Sequence, residues 1–299
     1  MNLIICHTPL QVVLAEKIMG ENPDDKFHTI VYFDIRTDKN LFYFNRIKEK
    51  SYKYNEIFIK KGISFLVTLL FTRLEFLFAR YDKVFVSSVD SILIHSILSS
   101  IKFNSLYSFD DGSANILPSS MLFVDKSSLR VKVVNKLLLN KFDLEKVKAL
   151  SKKHYTIFNA PNIIKNTEYL SIVDNLSYSS SGNGDVSILL GQPLYSDDKK
   201  NIELFESIIN RYNVDFYFSH PRDNFKLYNV DYLSSSLIFE EFIPSLLSEY
   251  NTLTIYTVYS SAVFSLLNID RIKVFGVRVK GFEKEQELLK RFNIPILEN

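Results

Sequence analysis

The sequence predicts an α/β protein of two open, mostly parallel sheets covered by helices. Three observations predict it. Short apolar runs alternate with longer segments of 3.6-residue period, as repeated β–α units do. The alternation runs twice, on either side of one soft Ser/Asn/Gly segment at Asn175–Gly184. At 299 residues the chain suits one large or two medium domains.

The elements follow in order. Leu3–Cys6 reads as a buried first strand. Thr8 then supplies a hydroxyl cap, Pro9 the first helical position and Gly20 the stop of a helix over Pro9–Gly20. Strands near His28–Phe33, Glu56–Ile59, Lys83–Ser87 and Ser105–Phe109 alternate with helices near Lys39–Lys50, Ile63–Arg80 and Ser91–Ser100. The second set opens with a strand at Val186–Leu190, a helix near Lys199–Tyr212 and a strand at Val214–Phe218. A helix near Pro244–Tyr250, a strand at Leu253–Tyr256, a helix at Ala262–Leu267 and a strand at Ile272–Phe275 follow. Gly276 closes that strand, and the final helix is expected over Glu283–Phe292. The soft segment sets the boundary, giving domains over 1–175 and 176–299. Two such domains leave a cleft at the strand C-termini, where ligands of α/β folds bind.

Composition excludes several classes. With 36 Lys+Arg against 34 Asp+Glu there is no global attraction to nucleic acid, so any basic surface is local. One cysteine, Cys6, excludes an intramolecular disulfide and a Cys-rich zinc site, and fits a reducing compartment. The opening apolar run is too short for the core of a signal peptide and lacks its basic leader. Arg73 and Glu75 interrupt the most apolar stretch, Ile63–Ala79, which reads as an internal helix, with an in-plane membrane helix as the other reading. Gly-x-x-x-x-Gly-Lys and Gly-x-Gly-x-x-Gly are both missing from the sequence, which argues against P-loop NTPases and Rossmann dehydrogenases. The five histidines show no metal-ligand spacing.

Four clusters at expected strand ends could carry chemistry. Phe109-Asp110-Asp111-Gly112-Ser113 offers two carboxylates before a glycine turn, of which alternation aims at most one into a cleft. Gly191-Gln192-Pro193-Leu194-Tyr195-Ser196-Asp197-Asp198 starts with a glycine that lets backbone approach a ligand. Its aspartates serve either as a helix cap or in chemistry. Phe218-Ser219-His220-Pro221-Arg222 holds a titratable histidine beside a cation that favours an anion. Tyr256-Thr257-Val258-Tyr259-Ser260-Ser261 places hydroxyls at a helix start, as a phosphate site or an ordinary cap. His7 and Gln11 either line the cleft or serve packing and capping, and His95 reads as a core or surface histidine. Lys126–Lys153 is rich in lysine, a solvated face or a surface for anionic lipid.

In this order the motifs resemble bacterial lipooligosaccharide sialyltransferases of glycosyltransferase family 52. The resemblance rests on Asn2-Leu-Ile-Ile-Cys-His-Thr-Pro-Leu-Gln11, Phe109-Asp-Asp-Gly-Ser-Ala-Asn115, His154-Tyr-Thr-Ile-Phe158, Ile188-Leu-Leu-Gly-Gln-Pro193, His220-Pro-Arg222 and Tyr256-Thr-Val-Tyr-Ser-Ser261. It covers nearly the whole chain. It implies a GT-B fold, two Rossmann-like domains with the acceptor on the N-terminal side and the CMP-sugar on the C-terminal side. It also implies transfer of N-acetylneuraminic acid from CMP-sialic acid to a terminal galactose of an oligosaccharide or lipooligosaccharide, with inversion and no required metal or cofactor. Some relatives are glucosyltransferases, and a noncatalytic sugar- or nucleotide-binding protein is the reading from another class.

The same resemblance puts His220 at the donor phosphate, as general acid or cationic stabiliser, with Ser260 and Ser261 bonded to that phosphate. It gives Gly191, Gln192, Pro221 and Arg222 to donor binding, and Glu240 and Glu241 to the cytidine ribose. The base stays open between Asp111 and the Asp197/Asp198 pair, with the pair favoured. A homodimer and a cytoplasmic place, with peripheral contact at the inner membrane face, complete the expectation.

Overall fold

The computed structural model describes residues 1–60, 62–123, 129–173 and 182–299. It divides the chain into two compact units, Met1–Leu170 and Ser171–Asn299. The expected boundary at 175/176 lies outside the described residues, as does most of the soft segment.

The first unit runs β1 (Asn2–Cys6), α1 (Pro9–Gly20), β2 (Phe27–Phe33), α2 (Asp38–Lys50), β3 (Lys53–Phe58), α3 (Ile63–Glu75) and β4 (Arg80–Val86). It continues α4 (Ile92–Ser100), β5 (Lys102–Phe109), α5 (Leu129–Leu137), α6 (Leu144–Leu150), β6 (Ser151–Thr156) and β7 (Thr167–Tyr169). Its strands form one parallel sheet in the order β3-β2-β1-β4-β5-β6-β7. All five residues of β1 and all seven of β2 are buried, because helices cover both faces of a parallel sheet. Thr8 caps α1 as its sequence position implies, accepting from the Gln11 amide.

The helix expected over Ile63–Arg80 stops at Glu75 instead. Phe78 takes φ 68°, which no helix tolerates, and Arg80 already pairs with Lys102 in the sheet. The strand Ser151–Thr156 and the helices α5 and α6 went unread in the sequence.

The second unit runs β8 (Asp185–Leu190), α7 (Asp198–Tyr212), β9 (Phe216–Phe218), β10 (Asp231–Tyr232), α8 (Phe239–Glu249) and β11 (Thr252–Thr257). A 3-10 turn (Ser261–Leu266), β12 (Ile272–Val277), α9 (Glu287–Arg291) and β13 (Ile296–Leu297) complete it. Its parallel sheet has the order β10-β9-β8-β11-β12-β13.

Helix α8 begins five residues before the expected Pro244 and contains that proline. Burial of Phe239, Ile243, Leu246 and Leu247 outweighs the one backbone bond that the proline removes. The expected helix at Ala262–Leu267 is the 3-10 turn, and the final helix shortens to Glu287–Arg291.

Both sheets therefore repeat the 3-2-1-4-5-6 order of a dinucleotide-binding fold. Each has a switch point where the order reverses: between β1 and β4 in the first unit, between β8 and β11 in the second. The loops leaving those strands are where such folds bind ligands.

Candidate functional site

In the first unit, the C-terminal ends of β1, β4 and β5 bring Gln11, Ser87, Ser88 and Asp111 together. Gln11 is fully buried. Its Oε1 accepts from the His7 amide (2.6 Å) and from Ser87 Oγ (2.7 Å). Its Nε2 donates to Ser88 Oγ (3.3 Å) and to Asp111 Oδ1. All four hydrogen-bonding capacities of the amide are thus in use, and the Asp111 carboxylate is fixed by one of them. Burial pushes the Asp111 carboxyl above its ordinary range, against the bonds from Ser88 and Gln11. Gly112 follows at φ 118°, a value that favours glycine, and so turns the chain directly after the carboxylate.

His7 stacks on Tyr32 with ring centroids 4.6 Å apart, and its Nδ1 lies 2.8 Å from the Tyr32 carbonyl. Nδ1–H is therefore the donor, because a carbonyl only accepts.

Asp110 does something else. It is wholly buried, and its carboxylate accepts from His154 Nε2 (2.9 Å), Thr156 Oγ1 (2.7 Å), the Ile157 amide (2.8 Å) and Asn162 Nδ2 (3.2 Å). Alternation along the strand end thus separates the pair, as the sequence implied. His95 is a core histidine, with Nε2 2.9 Å from the Val89 carbonyl.

In the second unit, the loops after β8, β9 and β11 carry the rest. The Gly191 amide donates to the Phe218 carbonyl (2.8 Å), and Gln192 Oε1 accepts from the Tyr259 amide (3.0 Å). These bonds link the ends of all three strands. A Cβ on Gly191 would stand 2.6 Å from Asp223 Oδ2 and closer still to Tyr217 Oη, so glycine is required there.

His220 follows β9. Its Nδ1 accepts from the Arg222 amide (3.1 Å), so the ring proton belongs on Nε2. Asp223 shapes this turn and was missed in the sequence. Its Oδ2 accepts from the His220 amide (2.8 Å) and from Tyr217 Oη (2.9 Å). Its Oδ1 is buried with no hydrogen-bond partner among the described residues, and burial pushes its carboxyl upward. The available signal was an acid three residues after a strand-end histidine, a spacing that lets a side chain close a turn. Pro221 and Arg222 are exposed in that turn.

Asp197 is the cap of α7, with Oδ1 accepting from the Lys199 amide (3.0 Å). The capping alternative therefore describes it. Asp198 opens the helix, exposed, with no hydrogen-bond or ion-pair partner among the described residues. Asn201 holds the preceding loop by accepting from the amides of Leu194 (3.1 Å) and Tyr195 (2.9 Å).

Ser260 caps the 3-10 turn by accepting from the Ala262 amide (3.4 Å), and Ser261 begins it. The helix expected to form a phosphate-binding start is thus a six-residue 3-10 segment, and side-chain hydroxyls are the donors it offers. Glu240 is buried and Glu241 half-buried in the first turn of α8, where the helix dipole favours carboxylates.

Within this unit the strand ends offer an N–H donor, two hydroxyls and an exposed carboxylate. That combination suits displacement of an anionic leaving group by a hydroxyl nucleophile. Among the described residues, no group of three or more His, Cys, Asp or Glu could hold a metal ion.

Residues 24–281 match the family model of glycosyltransferase family 52. The chain is 34% identical over 283 residues to a CMP-N-acetylneuraminate:beta-galactoside alpha-2,3-sialyltransferase of Pasteurella multocida, covering 93% of this chain and 92% of that one. It is 32% identical to an N-acetyllactosaminide alpha-2,3-sialyltransferase of Haemophilus influenzae, with 93% and 92% covered. The fold is similar to Arabidopsis thaliana UGT89C1 complexed with quercetin, at TM-score 0.54 and 10% identity over 100% of this chain and 85% of that one. It is also similar to the glycotransferase of kitacinnamycin, at TM-score 0.53 and 9% identity over 99% and 86%. These two likenesses bear on the fold alone, which is of the GT-B class with two Rossmann-like units.

Proposed function

The chain belongs to glycosyltransferase family 52, and from that premise we propose that it moves sialic acid from CMP-sialic acid to a terminal β-galactoside. The observation that carries the reading is one of placement: His220, Ser260 and Ser261 follow β9 and β11, and the exposed Asp198 opens the helix after β8, so all four lie on segments leaving the strands around one switch point.

The chemistry is a single displacement. The acceptor hydroxyl oxygen bonds to the anomeric carbon, the bond to the phosphate oxygen breaks, and CMP leaves with the electron pair. One displacement inverts the anomeric centre. Asp198 takes the proton of the attacking hydroxyl.

A phosphate monoester has its second pKa near about 6, so CMP leaves as an anion without being given a proton. Hydrogen-bond donors are then sufficient, and the step calls for no metal. His220 supplies Nε2–H, held in that tautomer by the Arg222 amide, and Ser260 and Ser261 supply hydroxyls. This favours a neutral donor over the general-acid and cationic roles, because a proton on Nδ1 would face the Arg222 N–H.

Arg222 adds positive charge, Pro221 sets the turn, and Gly191 and Gln192 form the wall beside the phosphate. Glu240 and Glu241 accept from the ribose hydroxyls. Asp223 is a positioning residue that holds the His220 backbone.

A second reading gives the proton to Asp111. The observation in its favour is burial, which raises that carboxyl toward the pH at which a base works best. The acceptor is a galactose-terminated oligosaccharide or lipooligosaccharide of a bacterial surface, joined in α-2,3 linkage. Self-association as a homodimer belongs to the same reading and is read by light scattering.

A donor screen with lactose as acceptor tests the assignment. CMP release from CMP-sialic acid with formation of sialyllactose is expected, and His220→Ala should lower turnover about 10²–10³-fold. Turnover with UDP-glucose alone contradicts the reading, as does binding of CMP-sialic acid without turnover.

A further inference from the structure

Three aromatic rings from three loops of the second unit meet past the strand ends. Tyr195 follows β8, Tyr259 follows β11 and Phe282 follows β12. The Tyr195 and Phe282 rings meet edge to face with centroids 5.5 Å apart, and Phe282 stacks on Tyr259 at 5.8 Å. Tyr259 and Phe282 pack on the core of the unit, and all three rings are half-buried. An amide side chain pins each loop. Asn201, buried in α7, accepts from the Tyr195 amide (2.9 Å) and donates to the Tyr195 carbonyl (2.8 Å). Gln192 Oε1 accepts from the Tyr259 amide (3.0 Å). The Gln286 amide donates to the Phe282 carbonyl (2.9 Å), and its Nε2 donates to the carbonyls of Val258 (3.0 Å) and Val277 (2.7 Å). Rings set in place in advance lose little freedom when a ligand covers them. Aromatic faces beside a few placed polar groups are the usual lining of a small-molecule site.

Position across the sheet selects the occupant. In the order β10-β9-β8-β11-β12, Glu240 and Glu241 lie on the segment leaving β10, His220 on that leaving β9, Ser260 and Ser261 on that leaving β11, and Phe282 on that leaving β12. Neighbouring strands lie about 4.8 Å apart, so about 19 Å separates β10 from β12. A donor with its ribose on the glutamates and its phosphate on His220 and the serines keeps its base on the β10 side. Its sugar then points toward the rings. Arg222, on the His220 turn, borders them: it opposes the upward push that burial and the Glu285 carboxylate give the Tyr259 hydroxyl. A nonulosonic acid offers the C–H bonds of its ring and the methyl of its acetamido group, and both can cover an aromatic face.

We propose that Tyr195, Tyr259 and Phe282 form the aromatic wall that receives the transferred sugar of the donor. The subsite rests on the donor reading of Glu240, Glu241, His220 and the two serines.

Calorimetric titration of the full chain with CMP, and separately with the unreactive 3-fluoro analogue of CMP-N-acetylneuraminic acid, tests it. Tyr195→Ala and Phe282→Ala should each weaken binding of the analogue at least about tenfold and leave CMP within about twofold of wild type. Tyr195→Phe, which keeps the ring, should restore the analogue. An unchanged unfolding temperature is the control for folding, and Phe282→Leu, which keeps the packing, replaces the alanine if that control fails. Equal loss of both ligands in a variant that passes the control overturns the subsite and gives the rings to the nucleotide. Wild-type affinity for the analogue in both alanine variants overturns it as well. Wild-type protein that binds neither ligand overturns the donor reading, and the subsite with it.

Discussion

Each unit holds two adjacent aspartates after a strand, one pair directly behind β5 and the other at the start of α7, and the two pairs live in opposite surroundings. Asp110 and Asp111 sit among buried polar side chains after β5, while Asp197 and Asp198 sit exposed before α7. Each pair nevertheless divides in the same way. Asp110 is consumed by four donors and Asp197 by one helix amide. The neighbour meets fewer donors: Asp111 lies on a fully bonded glutamine, and Asp198 stands in the open. Adjacency in sequence therefore carries little information about role. What decides it is which backbone or side-chain donors each carboxylate meets.

The comparison breaks most readily at Asp110. Asp110→Ala leaves His154, Thr156, the Ile157 amide and Asn162 without their acceptor in the core. The expected cost is about 3 kcal/mol or more, read by denaturant unfolding. A loss under about 1 kcal/mol would show that the carboxylate does not hold β5 to β6. Asp197→Ala should cost about 1 kcal/mol, the worth of a helix cap, with turnover close to wild type. A large loss of turnover at unchanged stability would move the chemistry from Asp198 to Asp197.

The smallest effect is a change of slope at Asp111. Burial raises its carboxyl above the unfolded value, so its contribution to stability is complete below about pH 4. That contribution is lost as pH rises through the folded value. Asp111→Asn should therefore flatten the stability profile above about pH 4 and leave the variant no less stable at neutral pH. An unchanged profile in an unfolding series over that range would mean that the carboxyl is not perturbed.

The sequence exposes the parts of the fold that need only local rules. β1, β2 and β8 are short apolar runs because they lie inside parallel sheets, and Thr8-Pro9 announces α1 on its own. β6 is different. Lys152 and Lys153 hide its period, and its buried His154 and Thr156 make sense only with Asp110, more than forty residues away.

The same rule governs the site. Gly191 follows β8 directly and His220 lies two residues past β9, so both are legible as strand-end residues. Asp223 offers only its three-residue spacing from His220, and its role shows once the turn brings it under the His220 amide. Gln11 reads as a helix-start residue, yet its side chain crosses to Asp111, one hundred residues on. The division between Asp197 and Asp198 depends on which residue begins α7, and sequence periodicity does not resolve a helix end to one residue.

The measurement closest to the central claim is the turnover of Asp198→Asn with CMP-sialic acid and lactose, alongside its unfolding temperature. A loss of about 10²–10⁴-fold in turnover with the unfolding temperature unchanged is expected. Wild-type turnover in Asp198→Asn, with activity lost in Asp111→Asn instead, would contradict it and give the acceptor proton to the first unit.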